Sequence, residues 1–173
     1  MTIWVALLRG INVGGKNVLK MKELATLLEG VGCLDVKTYI QSGNVAFKSE
    51  ESNSAALGSK IEAVLNESGG VVARVLVINR AEFGQAMESN PFPQAEESPS
   101  ALHLFFLSEP SSNPDIELLN TRKADSESFV LTDKVFYLHA PDGIGKSKLA
   151  ARVERLTESR CYRSKLAHSN QGV

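Results

Sequence analysis

The chain has 173 residues, 43% of them hydrophobic and 23% charged, with a formal net charge of −1. Such a composition belongs to a globular chain of one domain or two small subdomains sharing a core, and a total this near zero gives no reason in bulk charge to expect a polyanionic partner. No stretch approaches the roughly 18 apolar residues of a membrane helix, and the early apolar run from Ile3 to Leu8 is too short for a signal segment. A cytoplasmic protein with no membrane partner is therefore expected.

In chain order, Ile3 to Leu8 reads as a strand buried on both faces. Met21, Leu24, Leu27, Leu28 and Val31 recur at helical spacing, and Gly30 or Gly32 ends that helix. Val36 to Ile40 and Val45 to Phe47 are strand-like, and the turn residues Gln41, Ser42, Gly43 and Asn44 between them predict a hairpin. Ser52 or Ser54 is positioned to cap a helix whose inner stripe is Leu57, Ile61, Val64 and Leu65. The valine-rich stretch from Val71 to Ile78 predicts a fourth strand, and residues 81–88 a short linking helix.

Residues 90–100 are rich in Pro, Glu and Ser and read as an exposed connection. Beyond it the order repeats: a strand from Ala101 to Leu107, then a helix capped by Asn113 with Pro114 at its first position. A hairpin follows, Phe129 to Leu131 and Val135 to Leu138, and then a helix capped by Ser147. A strand from Cys161 to Leu166 completes the set. Each half therefore reads β-α-β-β-α-β, the ferredoxin-like order. The expected fold is α+β, two ferredoxin-like subdomains with mostly antiparallel sheets. The first covers residues 1–89 with its short linking helix, the connection 90–100, and the second 101–173.

Two glycine-rich loops carry the candidate chemistry. In Leu8 to Asn17, a strand runs into Arg9, and Gly10, Gly14, Gly15 and Lys16 follow with Asn12 and Asn17. Glycines let backbone N–H groups converge, and lysine adds a mobile charge, which is the recipe for an anion cradle. Gln41, Ser42, Gly43 and Asn44 offer further amides and hydroxyls. Pro141 to Lys148 repeats the recipe with Lys146, Ser147 and Lys148 and fits a relaxed phosphate-loop pattern, with Ala140 where its first glycine would stand. A P-loop domain needs several parallel strands after this motif, and only 26 residues follow Ser147. The plain alternative in each loop is turn chemistry alone. Cys33 and Cys161, and His103, His139 and His168, stand at no metal-ligand spacing, so no metal is expected and no cofactor is assigned.

Charge is unevenly spread. Residues 1–22 carry Arg9, Lys16, Lys20 and Lys22 and no acid, and residues 143–173 carry seven Lys or Arg against Glu154 and Glu158. Residues 81–133 carry ten acids against Arg122 and Lys123. Basic termini that meet would make a nucleic-acid-binding face, yet aromatics for base stacking are only 6% of the chain.

LLRGINVGGKN (Leu7 to Asn17), TYIQSGNVAF (Thr38 to Phe47), NPF (Asn90 to Phe92), and GIG followed by SKL (Gly143 to Gly145, Ser147 to Leu149) resemble the bacterial family called domain of unknown function 1697. The resemblance covers nearly the whole chain. It implies two ferredoxin-like subdomains and no established activity. The family pattern GIG-x-SKL leaves the position of Lys146 variable, which a catalytic P-loop lysine would not be. The family's Arg-Asn-Trp run reads Arg160-Cys161-Tyr162 here, which puts any ligand role of that segment in question.

The leading expectation is an uncharacterised protein that binds a small phosphate- or carboxylate-bearing ligand through its basic glycine loops. The alternatives are an enzyme acting on a nucleotide-like substrate through Lys146 or Lys148, and a nucleic-acid-binding module using the basic termini. The sequence assigns no oligomeric state.

Overall fold

The computed structural model describes residues 1–39 and 44–165. The chain divides into two compact units, the first Met1–Gln85 and the second starting at Ala86.

In the first unit the elements are β1 (Thr2–Arg9), α1 (Met21–Gly30), β2 (Leu34–Tyr39), β3 (Asn44–Ser49), α2 (Ser54–Glu67), β4 (Arg74–Asn79) and the start of α3 (Arg80–Glu88). The sheet order is β2-β3-β1-β4, every neighbouring pair antiparallel. The period of two along β1 sorts its side chains. Trp4, Ala6 and Leu8 join Leu24 and Leu28 of α1, Leu57, Ile61 and Leu65 of α2, and Val45, Phe47 and Val77 in one core. Val5 and Leu7, on the opposite face, are buried as well. This is the strand apolar on both faces that the run from Ile3 to Leu8 predicts.

Glycine at position 58 lets α2 lie close on the sheet. A Cβ there would come within 3.3 Å of the Val75 carbonyl oxygen. The same helix closes the outer edge of β4, because Glu62 Oε1 accepts from the Val75 N–H at 2.9 Å. On the other edge strand, Asp35 sits at φ +49 inside a register shift of β2 and pairs with Lys48 at 2.9 Å. An irregular, charged edge resists pairing with another chain.

The second unit contains β5 (Leu102–Leu107), α4 (Ile116–Arg122), β6 (Ser128–Leu131), β7 (Val135–His139), α5 (Val153–Thr157) and β8 (Cys161–Lys165). Its sheet runs β6-β7-β5-β8, antiparallel throughout, so the strand order of the first unit recurs. Phe105, Leu107, Phe136 and Leu138 pack with Leu119 of α4 and with Leu149, Val153 and Leu156. The protein is thus an α+β fold of two ferredoxin-like units.

Several local expectations are corrected. The cap of α2 is Asn53, whose Oδ1 accepts from the Ala56 N–H at 3.0 Å, not Ser52 or Ser54. The cap of α4 is Asp115, accepting from the Leu118 N–H at 3.0 Å, because the Asp115 N–H is already tied to the Leu156 carbonyl outside the helix. Helix formation therefore starts after Asp115, and Asn113 and Pro114 precede it. Residues 90–100 are not exposed throughout. Phe92 and Ala95 are buried, with Phe92 stacked on the His139 ring at 5.9 Å, and two 3₁₀ turns, Pro93–Glu96 and Pro99–Ala101, shape the stretch.

Candidate functional site

The loop from Gly10 to Lys20 is a built structure. Ile11 and Leu19 anchor its two ends in the core of the first unit. Between them the chain forms a miniature hairpin. The Asn12 N–H donates to the Asn17 carbonyl at 3.0 Å, and the Lys16 N–H to the Val13 carbonyl at 2.9 Å. Gly14 and Gly15 hold the turn at φ +57 and +75, consecutive left-handed positions that only glycine adopts at little cost. A Cβ at either would meet nothing within 4 Å, so backbone conformation is what calls for glycine here.

The two asparagines serve the loop itself. Asn12 Nδ2 donates to the Leu19 carbonyl at 3.0 Å, and the Leu19 N–H donates back to Asn12 Oδ1 at 2.8 Å. Asn17 Nδ2 donates to the carbonyls of Gly10 (2.9 Å) and Val72 (3.1 Å), and the Val72 N–H donates to Asn17 Oδ1 at 3.4 Å. Both residues adopt positive φ, which asparagine tolerates better than most side chains. Their amides are committed to holding the hairpin against the segment that leads into β4, while Lys16 stays exposed at the turn.

At the base of this hairpin, β1 ends on Arg9. The antiparallel register sets Arg9 directly opposite Arg74, the first residue of β4, and both are exposed. Directly opposed residues share a face, and Arg9 shares it with Leu7, two positions earlier. Leu7 is opposite Asn44 on β3, and Asn44 is opposite Tyr39 on β2. One sheet face thus carries Arg9, Arg74, Asn44 and Tyr39 near the open end of β1. Asn44 is 4% exposed, and its Oδ1 is buried with no hydrogen-bond partner among the described residues. The Tyr39 hydroxyl oxygen is buried and unpartnered in the same sense. Gln41, Ser42 and Gly43 lie outside the described residues.

The Pro141–Lys148 segment belongs to the second unit. Gly143 stands at φ +97, and a 3₁₀ turn covers Ile144–Lys146. Ser147 Oγ accepts from the Ala150 N–H at 3.0 Å, so its hydroxyl caps the turn that leads into α5. Asp142 accepts from Ser126 Oγ at 2.6 Å. Lys146 and Lys148 are exposed. The strand before the segment, β7, lies inside an antiparallel sheet, and α5 spans only five residues. A P-loop needs a parallel sheet and a long helix opening on the phosphates, so this fold is not that of a P-loop nucleotidase.

No group of three His, Cys, Asp or Glu suited to a metal occurs among the described residues. Cys33 is buried, and burial pushes its thiol up to about 11, partly opposed by Lys60, so it is neutral and unreactive at ordinary pH. No helix among the described residues is long and apolar enough to cross a membrane. Two open hollows, of about 590 and 530 Å³, lie beside Asp115, Glu117 and Arg155 and beside Glu50, Glu51 and Lys60. Neither is lined by a residue of the two glycine loops.

Doubled ferredoxin-like units with a clamped glycine hairpin at the end of the first sheet define the class of protein by architecture. A model of the family described as protein of unknown function (DUF1697) matches residues 1–137. The chain belongs to that family. Among solved structures, a conserved bacterial protein, SP0830 from Streptococcus pneumoniae, is similar, with a TM-score of 0.69 at 21% identity. The alignment covers 98% of this chain and 96% of that one. At this identity the likeness concerns the fold. No curated protein matches the chain.

Arg74 and Tyr39 were not among the sequence candidates. The ferredoxin-like topology was the available signal, since it pairs β1 with β4 and so implies a residue opposite Arg9. Naming that residue required the register, which the valine-rich run from Val71 to Ile78 leaves open by several positions.

Proposed function

We propose that the first unit binds a small phosphate-bearing anion at the end of its sheet, between Arg9 and Arg74, with Lys16 contributing charge from the hairpin turn. The observation that carries this reading is the direct opposition of two arginines across the β1–β4 ladder. Two guanidinium groups at directly opposed positions bring their N–H donors to one place, where a single anion can bridge them. Guanidinium groups match phosphate oxygens through paired N–H donors, which makes phosphate the preferred anion over a simple halide. The clamps made by Asn12 and Asn17 support the reading as well, because they set the hairpin in place before any ligand arrives.

Calorimetric titration of the full chain with inorganic phosphate and pyrophosphate tests it. Arg9→Ala and Arg74→Ala are each expected to weaken binding by about 1.5–3 kcal/mol, the cost of a charge-assisted hydrogen bond. Added salt weakens binding further, and Lys146→Ala leaves it unchanged. Turnover of magnesium ATP that disappears in Lys146→Ala would replace this reading with the enzyme alternative. Absence of binding to either probe would leave both glycine loops as turns.

A further inference from the structure

Resting on the anion-binding reading above, we infer that the ligand also carries hydroxyl groups, in the manner of a sugar phosphate. The buried oxygen of Asn44 asks for a donor that a fully ionised phosphate group does not supply, and the Tyr39 hydroxyl lies beside it. Asn44 Oδ1 only accepts hydrogen bonds, and it is buried with none among the described residues. The oxygens of a phosphate monoester dianion are acceptors too, so methyl phosphate leaves this atom unsatisfied. The Tyr39 hydroxyl, opposite Asn44 in the ladder and likewise without a partner, both donates and accepts. A hydroxyl group on the ligand complements the two together, donating its hydrogen to Asn44 Oδ1 and accepting from the Tyr39 hydroxyl.

The spacing fits a ligand larger than an ion. Asn44 is opposite Leu7, and Arg9 is the next residue of β1 on that face. Diagonal neighbours of this kind lie roughly 7–8 Å apart. A phosphate at the guanidinium groups and a hydroxyl at Asn44 therefore belong to one molecule of sugar-phosphate size.

The experiment is a calorimetric comparison of methyl phosphate, glycerol 1-phosphate and ribose 5-phosphate on the full chain at one ionic strength. The hydroxylated phosphates are expected to bind about tenfold tighter than methyl phosphate, as an unpaired buried acceptor penalises the ligand that lacks the donor. Asn44→Leu and Tyr39→Phe are expected to bring that ratio toward one with methyl phosphate binding retained. Tyr39→Phe removes one oxygen, and it carries the test if Asn44→Leu does not fold. Equal binding of all three phosphates would overturn this inference and leave the anion reading standing, as would a preference that survives both variants. No binding of any phosphate would overturn both.

Discussion

Replacing Asn17 by alanine isolates the clamp that holds the glycine hairpin. The substitution removes two well-formed donor bonds, to Gly10 at 2.9 Å and Val72 at 3.1 Å, and the longer bond from the Val72 N–H. A net hydrogen bond contributes about 0.5–1.5 kcal/mol, and solvent access places these at the lower half of that range, so together they stabilise by about 1–2 kcal/mol. Position 17 also stands at φ +51, where alanine pays about 1 kcal/mol more than asparagine. The expected total is about 2–3 kcal/mol, read as a lowered urea midpoint at constant slope. Asn17→Gly adopts the same backbone freely and is expected to lose less than alanine. Hydrogen exchange provides the local readout, with the Val72 amide exchanging faster in both variants. A loss below about 0.5 kcal/mol in Asn17→Ala, with unchanged exchange at Val72, would refute the idea that these bonds fix the loop.

Three other outcomes follow from the same geometry. The Cys33 thiol is raised from 9.0 to about 11 by burial, so the folded chain keeps a proton that the unfolded chain releases. Its contribution to stability is complete below pH 9 and is lost as pH rises toward 11, and native Cys33 should resist alkylation at pH 8 until denaturant is added. Glu62→Ala uncovers the Val75 N–H on the edge of β4 and is expected to cost about 1 kcal/mol and to raise aggregation on heating, measured by light scattering. Tyr137→Phe removes a buried 2.6 Å bond to the Ala86 carbonyl, leaving that acceptor unpaired, and is expected to cost about 1–3 kcal/mol in chemical denaturation.

The architecture was legible because hydrophobic period and turn residues survive in local sequence. Two rounds of strand, helix, hairpin, helix and strand lead directly to the two sheet orders observed. Capping residues were harder to place, since Ser52, Asn53 and Ser54 are equally able acceptors in sequence. The choice of Asn53 follows from the register that buries Leu57, Ile61 and Leu65. The candidate site was legible as a loop and not as a contact map. Gly14, Gly15 and Lys16 form a turn with the lysine exposed, and the amides of Asn12 and Asn17, sequence candidates for ligand donors, bond the backbone at Leu19, Gly10 and Val72. Arg74 lies 65 residues from Arg9, and only the strand register joins them.

The central claim is that an anion is held at the end of the first sheet, and chemical-shift mapping with inorganic phosphate tests it most directly. On isotopically labelled chain, the account predicts saturable shifts of the Arg9 and Arg74 side-chain Nε–H signals and of the backbone amides from Arg9 to Lys16, with the backbone-amide shifts abolished in the Arg9→Ala, Arg74→Ala double variant. Saturable shifts centred on Lys146 to Lys148, or no saturable shift at Arg9 and Arg74, would contradict it.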